Sequence, residues 1–549
     1  MVQKKIKILF IALLIGITPI LSQNIPNVPS DKPKLIVVVV VDQMRYDYLA
    51  KFKHNFGKFG FNRLLAEGST CTNARHSYLL TQQLPGYSTI VTGSAPSMHG
   101  ITSDKWYTRI KNEEKQAGVD ASVKSLSSKS KNGNYSPRDL LTTTISDEIA
   151  LSNNHKSKIH SLAFDGRASV LAGGHASDGA WWFDIYSGNW ITSSYYCDSL
   201  PSWLRAFNDK KLPELYVDRQ WIPKLQIDEY SAGTTRPNNK KVKSEKLSFL
   251  YDLLNLKKIA QSYKVLTRTP FGNTFTFDFA KQVIINDSLG RDSYTDFLAI
   301  GLNPIGVINQ EFGPMSLEIE DAYIRLDEDL SQFINFLDVE IGMKDVLFIL
   351  TSDRGCPHSP TFLKQMNLPS GIFDQNQLYA LAKSYLNVIY GQGEWITAYS
   401  DKQFYLNHTL IEDAKLSLTD VQERLARFTL QFSGVVNAVT ANTLQSANFT
   451  EGSFALIQRS YHQRRSGDVI INLEPGWIEK SDNIVQSNSG YDYDTHVPLI
   501  WYGWKIPRTT IYRNISTTSI AATIAAMLDI VAPGGSSGEV VNELMQKNK

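Results

Sequence analysis

"KLIVVVVVD", Lys34 to Asp42, decides the fold. Lys34–Val41 is an apolar, β-branched run closed by an acid. An uninterrupted run reads as a central strand of a parallel sheet, buried on both faces; a half-exposed strand would alternate. Similar runs recur. Ser157–Phe164 ends at Asp165, Thr295–Gly301 ends at Leu302-Asn303, and Asp345–Ser352 ends at Asp353. Helical patterns lie between them. Ser136–Asn153 opens on a Ser136-Pro137 N-cap and N1 pair. Leu317–Gly342 carries apolar residues at near-helical spacing, and the Ala-rich Thr517–Ile530 stops before Pro533-Gly534. This alternation predicts an α/β fold: a doubly wound, mostly parallel sheet with helices on both faces. Ligands in such sheets sit outside the strand carboxyl ends, which makes Asp42 the first candidate site residue.

A chain of 549 residues is too long for one simple core. The polar or irregular stretches at about 104–138, 190–290 and 360–480 read as cap insertions over the strand ends. Residues 31–549 then form a single discontinuous domain. A hydrophobic fraction of 42% is that of a globular protein, and a formal charge of +2 gives no single-sign field to draw in nucleic acid. The basic cluster Arg236, Lys240, Lys241, Lys243 and Lys246 lies among Pro, Asn and Ser and reads as a solvated loop. At the N-terminus, Lys4, Lys5 and Lys7 precede the apolar run Ile8–Leu21 and the polar exit Ser22-Gln23. That is the pattern of a secretory signal over residues 1–23. The expected protein is exported, periplasmic or extracellular, with no transmembrane segment once the signal is removed; association with the outer membrane through a partner is a further expectation. Cys71, Cys197 and Cys356 are far apart and show no CxxC spacing. Three buried thiols and one disulfide both remain open.

Tyr78–Gly100, "YLLTQQLPGYSTIVTGSAPSMHG", has the frame of a nucleophile loop: a hydrophobic stretch, a Pro85-Gly86 turn and an apolar run to Gly93. With "VVVVVDQMRYDYL", "AGGHASDGAWWFD", "TSDRG", "RRSGDVIINLEPGW" and "YDTHVPLIWYG", it resembles the alkaline phosphatase superfamily, especially the bacterial monoesterases and the nucleotide pyrophosphatase/phosphodiesterases. The resemblance covers almost the whole chain after the signal. It implies two zinc ions held by six Asp and His ligands, and a Thr or Ser nucleophile.

Placed by the same resemblance, most site positions have changed. Asp42 matches the first ligand. Gln83 stands where the nucleophile belongs, and an amide has no ionisable oxygen; Thr81 is a displaced alternative. In "NPIGV", Asn303 replaces an Asp and Val307 a His. In "TSDRG", Asp353 is kept and Arg354 replaces a His; a permanently protonated guanidinium is not a metal ligand. The last His falls on Ser487 or Ser489. Asp104 matches a family Asn, and a Lys-x-Arg phosphate clamp falls on Asp165 and Arg167. His496, Cys356 and His358 lie near lost ligands but read as structural, as do His76, His99 and His175. The expectation is a chain that has lost catalysis, takes no cofactor, and binds an unknown envelope protein or ligand. The alternative is an active metal-dependent phosphomonoesterase or phosphodiesterase with a rearranged site. A last expectation is electrostatic. Without metals the bare carboxylates would repel, so Arg354 should occupy a zinc position and pair with Asp42 or Asp353.

Overall fold

The structure is a computed structural model describing residues 30–127, 133–231, 249–483 and 485–545. The expected signal at 1–23 and the cluster from Arg236 to Lys246 lie outside the described residues. The central sheet contains β1 (Leu35–Val41), β2 (Ser69–Arg75), β3 (Ile159–Ala163), β4 (Gly179–Asp184), β5 (Asn189–Ser193), β6 (Asp296–Leu302), β7 (Val346–Thr351), β8 (His496–Gly503) and β9 (Thr509–Ile511). Across the sheet the order is β9-β2-β8-β7-β1-β6-β3-β4-β5. The middle is parallel: β1 pairs with β6 and β7, β6 with β3, and β3 with β4. The flanks turn antiparallel, β8 against β7 and β2, and β5 against β4. The fold is therefore the expected mostly parallel α/β sheet.

Why β1 reads as unbroken hydrophobicity is visible in its packing. Leu35, Val37, Val39 and Val41 enter one core; Ile36, Val38 and Val40 enter the other. Successive side chains point to opposite faces, and both faces are covered. The helices doing this are α1 (Gln83–Thr92), α2 (Ile145–Ser152), α3 (Gly166–Gly173), α4 (Phe271–Asn286), α5 (Asn303–Phe312), α6 (Leu317–Glu340) and α7 (Ser519–Leu528). The first core takes Phe275, Ile305 and Leu326 from α4, α5 and α6. The second takes Ile90, Ile149, Val170 and Ile524 from α1, α2, α3 and α7. Within residues 360–480, the strands Ile396–Ser400, Gln403–Leu406, Val469–Leu473 and Val435–Thr440 form a separate small sheet in that order. It has its own core around Leu378, Leu425 and Ile471.

One helix boundary differs from expectation. The helix expected from Ser136 begins only at Ile145. Thr144 caps it: its hydroxyl accepts from Asp147 N, and the Asp147 carboxylate accepts from Thr144 N at 2.8 Å. This reciprocal pair outcompetes the earlier signal. Ser136 instead donates its hydroxyl to Asp120 at 2.6 Å. All three cysteines are free thiols, Cys71 and Cys356 buried and Cys197 half-buried. Among the described residues, no helix is long and apolar enough to cross a membrane.

Candidate functional site

Register brings the site together. Val40 lies opposite Gly301 of β6 and Thr351 of β7. The residues just past these strands, Asp42, Asn303 and Asp353, therefore emerge at one edge of the sheet. Asp165 follows β3 at the same edge. This is the carboxyl-end position where open α/β sheets hold ligands.

Helix α1 supplies the other wall, and the Pro85-Gly86 frame explains how closely. A Cβ on Gly86 would lie 2.2 Å from the Asp353 carbonyl oxygen. Only glycine lets α1 rest on the end of β7. Asp104 accepts from Leu84 N at 2.9 Å, satisfying a free amide at the helix start, and its own N–H donates to the Gln82 side chain at 2.6 Å. Gln83 then reaches Asp42.

Asp42 is fully engaged. Its Oδ2 accepts from Gln83 Nε2 at 2.7 Å and its Oδ1 from Tyr87 Oη at 2.7 Å. Asn303 Nδ2 lies 3.2 Å from each of the two oxygens. Asn303 Oδ1 accepts from Asp165 N at 2.8 Å, joining β6 to β3. Burial pushes the Asp42 carboxyl above its ordinary range; the charge of Arg354 and the donors Tyr87, Asn303 and Gln83 pull it back only partly.

Asp353 is completely buried and forms an ion pair with Arg354. Its Oδ1 also accepts from Gln43 N at 2.9 Å. Gln43 has φ of 55°, a left-handed backbone that turns its N–H onto Asp353. Assigned by its neighbours, the Gln43 amide accepts from Arg354 Nη2 at 3.2 Å and donates to Gly306 O at 3.1 Å. Burial raises the Asp353 carboxyl well above its ordinary range, with Arg354 opposing and Asp42 adding to the rise. Burial works against the Arg354 charge too, but the carboxylates of Asp353, Asp42 and Asp104 keep it firmly protonated. The expected pairing is thus made with Asp353, while Asp42 feels Arg354 through its charge.

The remaining candidates divide. Arg167 forks onto Asp165 at 3.2 and 2.8 Å, so the would-be phosphate clamp is closed on itself. Burial pushes Asp165 up, yet the Arg167 charge and hydrogen bonds leave it below its ordinary value. Ser487 donates to Gly355 O at 2.7 Å and borders Gln43. Ser489 instead donates to Asp494 at 2.6 Å, and Thr81 donates to Ser489 O at 2.8 Å, both away from Asp42. Val307 offers only carbon. His496 stacks on Tyr46 and bonds Thr72 O at 2.8 Å. His76 bonds Ser352 O at 3.0 Å, His99 bonds Thr89 Oγ1 at 3.1 Å, and His175 bonds Asp147 at 3.0 Å. Cys356 is buried, and His358 lies against Phe362. The motifs contain three further site residues without singling them out: Gln43, Tyr87 and Ser352, whose hydroxyl donates to Arg354 O at 2.6 Å. Tyr87 lies inside the conspicuous "PGY", but its reach to Asp42 depends on Gly301, whose Cβ would stand 2.6 Å from Tyr87 Oη.

The two zinc ions implied by the resemblance do not fit this donor set. An amide, an alkyl group, a guanidinium and a hydroxyl stand at the other ligand positions, and both surviving carboxylates are already bonded. Among the described residues, no group of three or more His, Cys, Asp or Glu side chains could hold a metal ion.

A mostly parallel α/β sheet with Asp42 at its strand ends and α1 laid across them is the fold of the alkaline phosphatase superfamily. The chain belongs to the type I phosphodiesterase / nucleotide pyrophosphatase family, whose description it matches over residues 36–493. It is 33% identical to alkaline phosphatase PhoV of Synechococcus elongatus over 94% of this chain and 93% of that protein. It is 34% identical to a Myroides odoratus protein named a calcium-transporting ATPase, over 94% and 95% of the two chains. It is 33% identical to alkaline phosphatase PafA of Elizabethkingia meningoseptica over 94% of this chain and 95% of that one. A crystal structure of wild-type PafA superposes with a TM-score of 0.89 at 32% identity, covering 94% of this chain and 99% of that one.

These relatives correct the functional expectation. Gln83, Val307 and Arg354 by themselves favour a non-catalytic binding protein over hydrolysis. Proteins a third identical over nearly their full length are named alkaline phosphatases, which backs hydrolysis.

Proposed function

We propose that the chain is an exported phosphoric ester hydrolase of this family, working through a rearranged site. The observation that carries the reading is the near full-length similarity to alkaline phosphatases PhoV and PafA. The convergence of Asp42, Gln83, Asp104, Asp165, Arg167, Asn303, Asp353, Arg354 and Ser487 at one sheet edge supports it. Arg354 and Arg167 are the guanidiniums placed to meet phosphoryl oxygens, once a substrate competes with their carboxylate partners. Gln83 forms no ester with phosphorus, so water attacks in place of a side chain. The P–O bond to the leaving alcohol breaks as water attacks, and Asp42 takes the water's proton once half-buried Gln83 gives up its bond to Oδ2.

The test compares the purified wild type with the Asp42→Asn/Arg354→Ala double variant prepared identically. Substrates are p-nitrophenyl phosphate and bis-p-nitrophenyl phosphate, each with and without added divalent metals. Wild-type turnover clearly above the double variant is expected for one of the two esters. Equal rates on both would end the reading. Transfer of the phosphoryl group to Tris or glycerol would point to a covalent intermediate and defeat the water mechanism.

A further inference from the structure

We propose that Arg354 is a built-in cation standing in for metal charge, and that the pocket around Asp42 and Asp353 excludes divalent metals. The proposal concerns the same pocket as the hydrolase reading but does not depend on turnover.

Three observations carry it. First, the carboxylate that would have to open is saturated. A carboxylate offers about four acceptor positions. Asp42 fills them with Gln83, Tyr87 and both contacts from Asn303. A metal would have to break these bonds and leave the buried Asn303 amide unpaired. Second, Arg354 is itself buried, 5% exposed, and held from two sides. Nη1 pairs with Asp353, and Nη2 reaches the Gln43 amide at 3.2 Å. Gln43 is in turn tied to Asp353 through its backbone N–H at 2.9 Å and to the α5 backbone at Gly306. The cation is therefore fixed by the frame rather than lying across the pocket by chance. Third, Arg354 already supplies positive charge where the carboxylates of Asp353, Asp42 and Asp104 meet; Asn303 removes a further carboxylate, and Arg167 is neutralised by its own Asp165. A like charge cannot share the pocket with Arg354 at metal-ligand distance.

The test is metal content together with stability. Protein expressed in zinc-supplemented medium and gel-filtered is analysed for metals. Zinc below about 0.1 per chain is expected, since a bound structural or catalytic metal would be retained near unit stoichiometry. Zinc approaching one or more per chain, removable by chelator, overturns the proposal. Melting of the wild type should be indifferent to chelator and to added zinc. Arg354→Ala should melt several degrees lower, and Arg354→Lys, which keeps the charge, should recover most of the loss. An Arg354→Ala protein that melts with the wild type overturns the proposal. If Arg354→Ala does not fold, Arg354→Lys decides: a soluble protein melting near the wild type supports the charge role, and a second failure to fold overturns it. Ester turnover is measured separately, so loss of the hydrolase reading would leave these outcomes intact.

Discussion

Replacing Gly86 by alanine tests how the nucleophile-type frame is used here. The new Cβ would stand 2.2 Å from the Asp353 carbonyl oxygen and 2.8 Å from its carbonyl carbon and Cα. Backbone cannot swing aside as a flexible side chain does, so α1 must lift by about 1 Å to restore van der Waals contact. Overpacking of this kind costs about 1–3 kcal/mol. The lift also draws Gln83 and Tyr87 away from Asp42, where each bond is 2.7 Å. Losing one bond to a charged group adds about 1.5–3 kcal/mol. The total is about 3–6 kcal/mol. At roughly 2.1 cal/mol/K of unfolding entropy per residue, a chain of this size loses about 1 °C per kcal/mol, so a fall of about 3–6 °C is expected. Denaturant unfolding followed by tyrosine and tryptophan fluorescence measures the same loss at 25 °C. A variant within about 0.5 kcal/mol of wild type, the range of ordinary surface substitutions, would refute the close approach of α1 to β7.

Further outcomes follow from the same geometry. Tyr87→Phe should cost about 1.5–3 kcal/mol by denaturant unfolding, because it removes a hydroxyl donor from a buried carboxylate; an unchanged midpoint would detach Tyr87 from Asp42. Asp329, buried on α6, has its carboxyl raised to about 7 by burial foremost, against the Thr274 hydroxyl that donates to it. Its folded-state value lies above the unfolded one, so its contribution is complete below about pH 4 and lost as pH rises through 7. Asp329→Asn should therefore gain on wild type between pH 5 and pH 8, by an amount of order 1 kcal/mol per unit of raised pKa at most; a pH-independent difference would contradict the burial of that carboxyl. Thiol titration should count three free thiols in denaturant, with Cys197 reacting first in the native protein because the other two are buried; a count of one would require a disulfide.

Much of this was legible in the sequence, for physical reasons. β1 announces itself because both its faces are covered, so Leu35 to Val41 carry no polar residue. Asp42, Asn303 and Asp353 could be located because each ends such a strand. The start of α2 is ambiguous in sequence because two cap signals lie in tandem, and the reciprocal bonding of Thr144 with Asp147 outweighs Ser136-Pro137. Ser487 and Ser489 could not be separated by spacing; only the path of the chain brings Ser487 beside Gln43 and sends Ser489 to Asp494. Gln43 and Tyr87 stayed hidden because their roles depend on a left-handed backbone and on a bare Cα at Gly301, neither of which shows as a pattern. Residue-by-residue substitution at the site argued against chemistry, while similarity along the whole chain to named phosphatases argues for it.

The most direct measurement is kcat/KM for p-nitrophenyl phosphate and bis-p-nitrophenyl phosphate, wild type over the Asp42→Asn/Arg354→Ala variant. Removing a general base and a charged contact should each cost about 100-fold or more. A ratio of at least about 100 on one ester is therefore predicted, and a ratio of one on both would contradict the account.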